Sequence, residues 1–152
     1  GPWGRPDLAL YKFVSAMLSG EPINVYNNGE MYRDFTYVDD LVKSIELLID
    51  ANPSLVDPSN PIEGDSLSSV APFRIVNIGN SEKIKLLDFI EAIEDVLEIK
   101  SIRNDLPMQM GDVPATWANV ELLQKLTGFT PNTHYKDGIR NFIEWYREYY
   151  NV

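Results

Sequence analysis

The chain has 152 residues, of which 44% are hydrophobic and 24% charged, a composition typical of one globular domain with a packed core. Its net charge of −10 argues against nucleic acid and anionic membranes as partners, because both require a basic surface. The absence of cysteine excludes disulfides and thiolate chemistry, and the single histidine, His134, argues against Ser-His catalysis and histidine-rich metal sites. No apolar run reaches the roughly 20 residues of a membrane span and no signal peptide opens the sequence, which predicts a cytoplasmic protein.

The first quarter of the chain predicts a helix, a short strand and a turn. Apolar residues with helical spacing predict the helix between Asp7, a candidate N-cap, and Gly20, which ends it. Residues 23–26 ("INVY") predict the strand, and the Asn-Gly step within 27–29 predicts a turn that tolerates positive φ.

A second helix is predicted directly after "RDF", with Thr36 and Asp39 as a variant of the capping box. Arg33 therefore precedes a helix N-terminus, where the backbone dipole favours anions. The apolar face of this helix consists of Val38, Leu41, Val42, Ile45, Leu48 and Ile49.

The remainder of the chain predicts further alternation of strands and helices. Residues 52–72 are rich in Pro, Ser, Asn and Asp and predict a loop, whereas "FRIVNIGN" (73–80) predicts a strand that is buried on both faces. The elements that follow are a helix over 86–98, an irregular segment over 101–120, a short helix over about 119–126 that ends at Gly128, and a final helix over 135–150 with Ile139, Phe142, Ile143 and Tyr146 inward. This order predicts an α/β fold with at least one parallel strand.

Several aromatic and acidic side chains are expected to pack in the core or to lie on the solvated surface rather than to bind a ligand. The aromatic residues in this group are Trp117, Trp145, Tyr146, Tyr149 and Tyr150. The acidic residues are Glu91, Glu94, Asp95 and Glu98, which we expect to form the solvated face of a helix. We find no pair of carboxylates and no cluster of ligands that would predict acid–base or metal chemistry.

Four segments of the chain resemble a known family. They are "GPWGRPDLAL", "GEPINVYNNGEMYRDFTYVDDLV", "NIGNSEKIKLLDFIEAIE" and "LPMQMGDVPATWANVELLQKLTGFTP". Together they resemble the carboxy-terminal part of extended short-chain dehydrogenases of the NAD-dependent epimerase/dehydratase family, and most of all the UDP-glucuronate 4-epimerases. The resemblance implies a small mixed α/β substrate-binding domain over residues 1–152, with 52–72 as a loop insertion, plus a strand and helices that belong to a Rossmann sheet.

The resemblance also implies that the chemistry of the enzyme lies outside this chain. The family's glycine-rich dinucleotide turn is not matched, because Asp7 stands where a third glycine would follow Gly1 and Gly4. The family's catalytic Tyr-x-x-x-Lys pair is also absent. We therefore expect no catalytic residue and no cofactor site here, with NAD bound by an amino-terminal Rossmann half of the same protein, and a homodimer as the intact enzyme.

In the family, the arginine of the Arg-Asp-Phe/Tyr segment binds the UDP diphosphate, and Arg33 matches it. A planar guanidinium suits two phosphate oxygens, although a surface arginine paired with Asp34 or Asp39 is the alternative. Arg5 matches the position that faces the hexuronic carboxylate in glucuronate epimerases; the alternative is an exposed loop arginine without a ligand.

Two further segments match nucleotide-binding positions of the family. Asn24, Val25 and Tyr26 match the strand that lies along the uracil, where an aromatic ring can stack on the base, although Tyr26 packed in the core is the alternative. Gln109 and Asp112 match a stretch that contacts the nucleotide. Asp112 fits a ribose hydroxyl unless it is a turn residue, whereas Gln109 departs from the arginine of related galactose epimerases and removes one positive charge.

The resemblance predicts the nucleotide-sugar-binding half of an epimerase that converts UDP-glucuronate into UDP-galacturonate, in polysaccharide synthesis. The isolated chain is expected to be inactive. Two alternatives remain open: another dehydratase, decarboxylase or epimerase of the same family, or a non-catalytic module that binds sugar nucleotides.

Overall fold

The structure, a computed structural model, describes residues 1–53 and 62–152. In chain order its elements are α1 (Ala9–Leu18), β1 (Ile23–Tyr26), a 3₁₀ turn (Asn27–Gly29), β2 (Tyr32–Arg33), α2 (Val38–Asp50), β3 (Ile84–Lys85), α3 (Leu86–Leu97), β4 (Arg103–Leu106), α4 (Glu121–Thr127) and α5 (Tyr135–Tyr150). They divide into two compact units. The first unit contains Gly1–Arg33, Lys83–Thr116 and His134–Val152, and the second contains Asp34–Glu82 and Trp117–Thr133.

The first unit contains two small sheets. β1 pairs in parallel with β4, from Ile23 opposite Arg103 to Tyr26 opposite Leu106, which confirms the expectation of a parallel strand. β2 pairs antiparallel with β3. The expectation that 101–120 is wholly irregular is therefore wrong: "RNDL" has no apolar alternation because most of β4 is exposed, and its pairing with β1 rather than its own pattern makes it a strand.

The core of the first unit is formed by α1, α3 and α5, whose apolar residues recur with helical spacing. The buried side chains are Phe13, Val14 and Met17 from α1, Phe89, Ile90, Ile93 and Leu97 from α3, and Ile139, Phe142, Ile143 and Tyr146 from α5. The predicted inner stripe of α5 is thus confirmed, because a 3.6-residue period places those positions on one side.

Glu94 contradicts the prediction of a solvated acidic face on α3. Its side chain is only 4% exposed and accepts hydrogen bonds from Lys100, Ser101 and Arg103. These donors follow the end of α3 and lead into β4, so the carboxylate ties the helix to the strand. The pattern of the helix alone could not reveal this, because the donors belong to the segment that follows it.

The predicted helix caps are wrong at two positions. The N-cap of α1 is Leu8, and the carboxylate of Asp7 accepts instead from Arg5. The N-cap of α2 is Tyr37, so Thr36 lies outside the helix and cannot form a capping box. Both helices begin one residue later than predicted, which moves the capping side chain out of reach of the free N–H groups.

In the second unit α2 contacts α4, and α4 ends as predicted at Gly128, which has the left-handed φ of +69°. α2 buries the small polar Ser44, whose hydroxyl donates to the carbonyl of Asp40 over 2.7 Å. Its apolar face is exposed at Val38, Leu41, Val42, Ile45 and Ile49. The amphipathic pattern therefore gives the helix correctly, but that face is not buried by the described residues.

Residues 73–80 do not form the predicted buried strand. This stretch has no regular secondary structure, and Phe73 and Ile75 are exposed. The neighbouring Arg74 points inward and forms a two-point ion pair with Asp65, with Nε–Oδ1 at 2.7 Å and Nη2–Oδ2 at 2.8 Å. A strand requires a ladder of partners for its backbone groups, and among the described residues this stretch joins neither sheet. It has only local bonds, such as those from the N–H of Ser68 to the carbonyl of Phe73 and from the N–H of Ile75 to the hydroxyl of Ser66. Of the predicted loop over 52–72, residues 54–61 lie outside the described residues.

Candidate functional site

Arg33, at the end of β2, forms an ion pair with Asp112. Its Nη2 donates to Asp112 Oδ1 over 2.7 Å, and its Nη1 donates to the carbonyl of Tyr32 over 2.8 Å. The two side chains are 29% and 33% exposed, so the pair is open to solvent on one side. A guanidinium carries five N–H donors, and these two bonds leave others available for an anion.

Backbone pairing brings the two residues together across 79 positions of sequence. Tyr32 forms a parallel bridge with Ala115, with its N–H donating to the carbonyl of Pro114 over 2.8 Å. The N–H of Thr116 donates to the carbonyl of Tyr32 over 3.1 Å. The segment that carries Asp112 is therefore fixed beside β2, and the meeting of the two predicted residues depends on backbone geometry as well as charge.

Neither sequence-based alternative for the partner of Arg33 is observed. Asp34 is engaged elsewhere, since its carboxylate accepts from the backbone N–H groups of Asn80, Ser81 and Ala118, each over 3.0 Å. Three N–H donors around one carboxylate resemble an anion-binding nest that the chain fills with its own side chain. Asp34 is therefore a structural residue of the second unit.

Asp112 is a turn residue, which is one of the two roles predicted for it, and it also pairs with Arg33. Its N–H donates to the carbonyl of Gln109 over 3.2 Å, and its Oδ1 accepts from the N–H of Val113 over 2.8 Å, as in a turn. Gly111 within this turn has φ of +85°, which favours glycine. The same Oδ1 also accepts a hydrogen bond from Arg33. Gln109, three residues before Asp112, has an exposed side chain.

β1 presents its three predicted residues in different ways. Asn24 is exposed, and its Oδ1 accepts from Asn104 Nδ2 over 2.9 Å. Val25 is fully buried, backbone included, and its side chain belongs to the core. Tyr26 is half-buried at the end of the strand, opposite Leu106 of β4. Because β4 pairs with β1 and precedes the turn that carries Asp112, the two segments predicted to bind the nucleotide both belong to the first unit.

Arg5 lies on a separate loop, before α1. Its Nε donates to Asp7 Oδ1 over 3.0 Å and its Nη2 to Asp7 Oδ2 over 2.5 Å. The hydrogen bond from Arg5 holds the pKa of the Asp7 carboxyl below its usual range, and the same bond raises the pKa of Arg5. Asp7 and Asn104, the partners of Arg5 and Asn24, were not predicted as site residues, although the Arg-Pro-Asp spacing was a usable signal for Asp7.

The turn before α1 does not match the glycine-rich pattern of a dinucleotide-binding turn. A pyrophosphate turn needs glycines between a strand and the N-terminus of a helix. Here the turn before α1 contains the paired carboxylate of Asp7 in place of the third glycine, and a carboxylate repels phosphate.

Among residues 1–53 and 62–152 no group of acidic and histidine side chains could hold a metal ion. The same residues contain no helix that is long and apolar enough to cross a membrane.

The chain is similar to known proteins. A model described as the NAD dependent epimerase/dehydratase family matches residues 1–60. The chain is 49% identical over 152 residues to an Escherichia coli O111:H- protein described as an uncharacterized 37.6 kDa protein in the cld 5′ region, covering 100% of this chain and 46% of that protein. It is 48% identical over 151 residues to a probable UDP-glucuronate 4-epimerase of Rhizobium meliloti (strain 1021), covering 99% of this chain and 44% of that protein.

A solved structure gives the corresponding result for the fold. MoeE5 in complex with UDP-glucuronic acid and NAD superposes with a TM-score of 0.80 at 28% sequence identity, covering 98% of this chain and 44% of MoeE5. The chain thus spans less than half the length of these relatives, and it corresponds to the carboxy-terminal part of their mixed α/β fold. Residues 1–60 thus match the NAD-dependent epimerase/dehydratase family, and the chain is similar over its whole length to a probable UDP-glucuronate 4-epimerase.

Proposed function

We propose that this chain binds the nucleotide and the uronic acid of UDP-glucuronate in an enzyme that epimerises C4 to give UDP-galacturonate. The observation that carries the proposal is the Arg33–Asp112 pair, which joins two sequence-predicted nucleotide residues at 2.7 Å and remains partly open. The relative from Rhizobium meliloti and the UDP-glucuronic acid complex of MoeE5 support the choice of sugar nucleotide.

Arg33 binds the diphosphate. The net charge of −10 makes the surroundings repulsive to a UDP-sugar, so affinity depends on a few placed arginines. A guanidinium already held by the carbonyl of Tyr32 presents its remaining donors in a fixed orientation, which limits the entropy lost on binding. Asp112 keeps Arg33 in place and offers its second carboxylate oxygen to a ribose hydroxyl.

Different residues bind the base and the sugar. The half-buried ring of Tyr26 stacks on the uracil, and the exposed side chains of Asn24 and Gln109 donate hydrogen bonds, while the buried Val25 holds the strand in place from the core. Arg5 receives the hexuronate carboxylate, which matches a guanidinium in shape and charge.

The chemistry belongs to a part of the enzyme that the described residues do not provide. NAD would supply hydride transfer at C4 in such an enzyme, and we propose that it is bound by residues outside the described part of the chain. The exposed apolar face of α2 and the unpaired segment 73–80 fit a partner that offers a sheet, which supports a cofactor-binding Rossmann half as their occupant. We further propose a cytoplasmic homodimer that acts in polysaccharide synthesis.

The test is competition binding of UDP-glucuronate, UDP-glucose and UDP to the natural protein and its arginine variants. Arg33→Ala removes a charge-assisted contact that all three ligands share, so all three should lose about 10- to 150-fold in affinity, the equivalent of roughly 1.5–3 kcal/mol. Arg5→Ala should weaken UDP-glucuronate alone, because only this ligand has the carboxylate. The control is Arg140→Ala, which removes another exposed arginine paired with an aspartate, on α5.

Each result has a defined meaning. If Arg5→Ala weakens all three ligands equally, Arg5 does not read the hexuronate and the choice of sugar is wrong. If Arg33→Ala behaves like the Arg140 control, the diphosphate site lies elsewhere. Product analysis by NMR with UDP-glucuronate decides the reaction: UDP-galacturonate supports epimerisation, a decarboxylated or dehydrated sugar indicates a related reaction, and no turnover by the natural protein indicates a binding module.

A further inference from the structure

Asp7 holds Arg5 in the way that a ligand carboxylate would. Two oxygens of Asp7 accept from two different nitrogens of the guanidinium, at 3.0 and 2.5 Å. This two-point contact is the geometry by which arginine binds a free carboxylate. Both side chains are well exposed, 70% for Arg5 and 60% for Asp7, so a ligand can reach the pair and water can solvate the aspartate when it leaves.

The loop that carries this pair is anchored to the body of the first unit. The ring of Trp3 contacts the rings of Trp145 and Tyr149 on α5, each with a centroid distance of 5.2 Å. On the other side of the pair, the N–H of Leu8 donates to the carbonyl of Arg5 over 3.1 Å, which closes a turn. The backbone on both sides is therefore fixed, and Asp7 is held within reach of Arg5 by the fold.

We propose that Asp7 is a specificity-determining residue, an internal substitute for the hexuronate carboxylate that occupies Arg5 until a ligand with its own carboxylate displaces it. This inference rests on the proposed function, in which Arg5 receives the uronic acid. A ligand without a carboxylate leaves the pair closed and gains nothing from Arg5. When a uronic acid binds, its carboxylate replaces that of Asp7 on Arg5. The net binding free energy from Arg5 is therefore the difference between two similar ion pairs, and repulsion between the ligand and the displaced Asp7 reduces it further.

The test is Asp7→Asn, which keeps the size of the side chain and removes its charge. Since an exposed ion pair is weak, we expect affinity for UDP-glucuronate to rise about 2- to 5-fold, while UDP-glucose and UDP are unchanged. A gain in affinity for one ligand cannot arise from misfolding. The control is Asp137→Asn, which changes the net charge equally and breaks a similarly exposed pair with Arg140 on α5; it should change none of the three affinities.

A double variant separates this inference from the function on which it rests. In an Arg5→Ala background, Asp7→Asn should have no effect on any ligand, because the guanidinium for which the two carboxylates compete is gone. If Asp7→Asn lowers affinity for UDP-glucuronate, Asp7 orients Arg5 rather than competing for it, and the inference is wrong while the proposed function stands. If Arg5→Ala itself leaves the preference for UDP-glucuronate unchanged, the hexuronate role fails and the inference fails with it.

Discussion

Replacing Glu94 by glutamine tests how strongly the first unit depends on one buried carboxylate. Glu94 lies near the end of α3 and accepts from Lys100 Nζ over 2.8 Å, from the N–H of Ser101 over 3.1 Å and from Arg103 Nη2 over 3.0 Å. The hydroxyl of Ser101 also donates to it, over 2.5 Å. Glutamine has nearly the same size, but it carries no charge and places an amide N–H₂ against these donors.

The magnitude follows from the protonation equilibrium of this group. Burial by itself raises the pKa of Glu94, but the hydrogen bonds from Lys100, Ser101 and Arg103 outweigh it and hold the pKa at about 2, against an ordinary value of 4.5. A difference of about 2.5 units corresponds to roughly 3 kcal/mol of stability at neutral pH. Because Lys100 and Arg103 regain water when the carboxylate is lost, we expect Glu94→Gln to cost about 2–3 kcal/mol, or roughly 4–12 °C in Tm.

The pH dependence of the stability difference between wild type and Glu94→Gln tests this reasoning. The folded-state pKa is below the unfolded one, so the contribution of Glu94 is fully present above about pH 4.5 and is lost as the pH falls toward 2. Urea unfolding followed by circular dichroism should give a difference between wild type and Glu94→Gln that shrinks to about 1 kcal/mol at pH 3. Glu91→Gln, at an exposed position of the same helix, should change stability little at either pH. An equal difference at pH 7 and pH 3, or none at pH 7, would refute the reasoning.

Two predictions concern the second unit. Asp34→Ala leaves three backbone N–H groups without their acceptor, so we expect a loss of about 2–4 kcal/mol and faster hydrogen exchange at those three amides; unchanged protection would contradict the assigned role. The double change Ile45→Gln and Ile49→Gln alters side chains that are 51% and 73% exposed, so it should reduce binding of a hydrophobic dye and self-association of the chain with less than about 1 kcal/mol change in stability. Lys43→Gln on the same helix should leave dye binding unchanged, and equal dye binding by all three proteins would count against an exposed apolar surface.

The elements with a strong internal pattern were predictable from the sequence. In α5, four apolar residues at helical spacing give both the helix and its buried face, because each position is set by the 3.6-residue repeat alone. β1 and the turn after it follow from β-branched and Asn-Gly residues in the same local way. The candidate ligand residues Arg33 and Arg5 came from the family resemblance, since a single arginine has no sequence pattern that distinguishes it from ordinary surface.

The tertiary structure decided everything that depends on a partner distant in sequence. β4 is a strand because β1 lies beside it, and Glu94 is buried because its donors follow α3 rather than precede it. Asp112 meets Arg33 through backbone bonds between segments about 80 residues apart. Residues 73–80 have the composition of a buried strand and remain unpaired in the described chain. The sequence determined which surfaces prefer burial and which side chains prefer an anion, but only the packed chain determined which partner each one has, because that choice depends on distances the linear order does not contain.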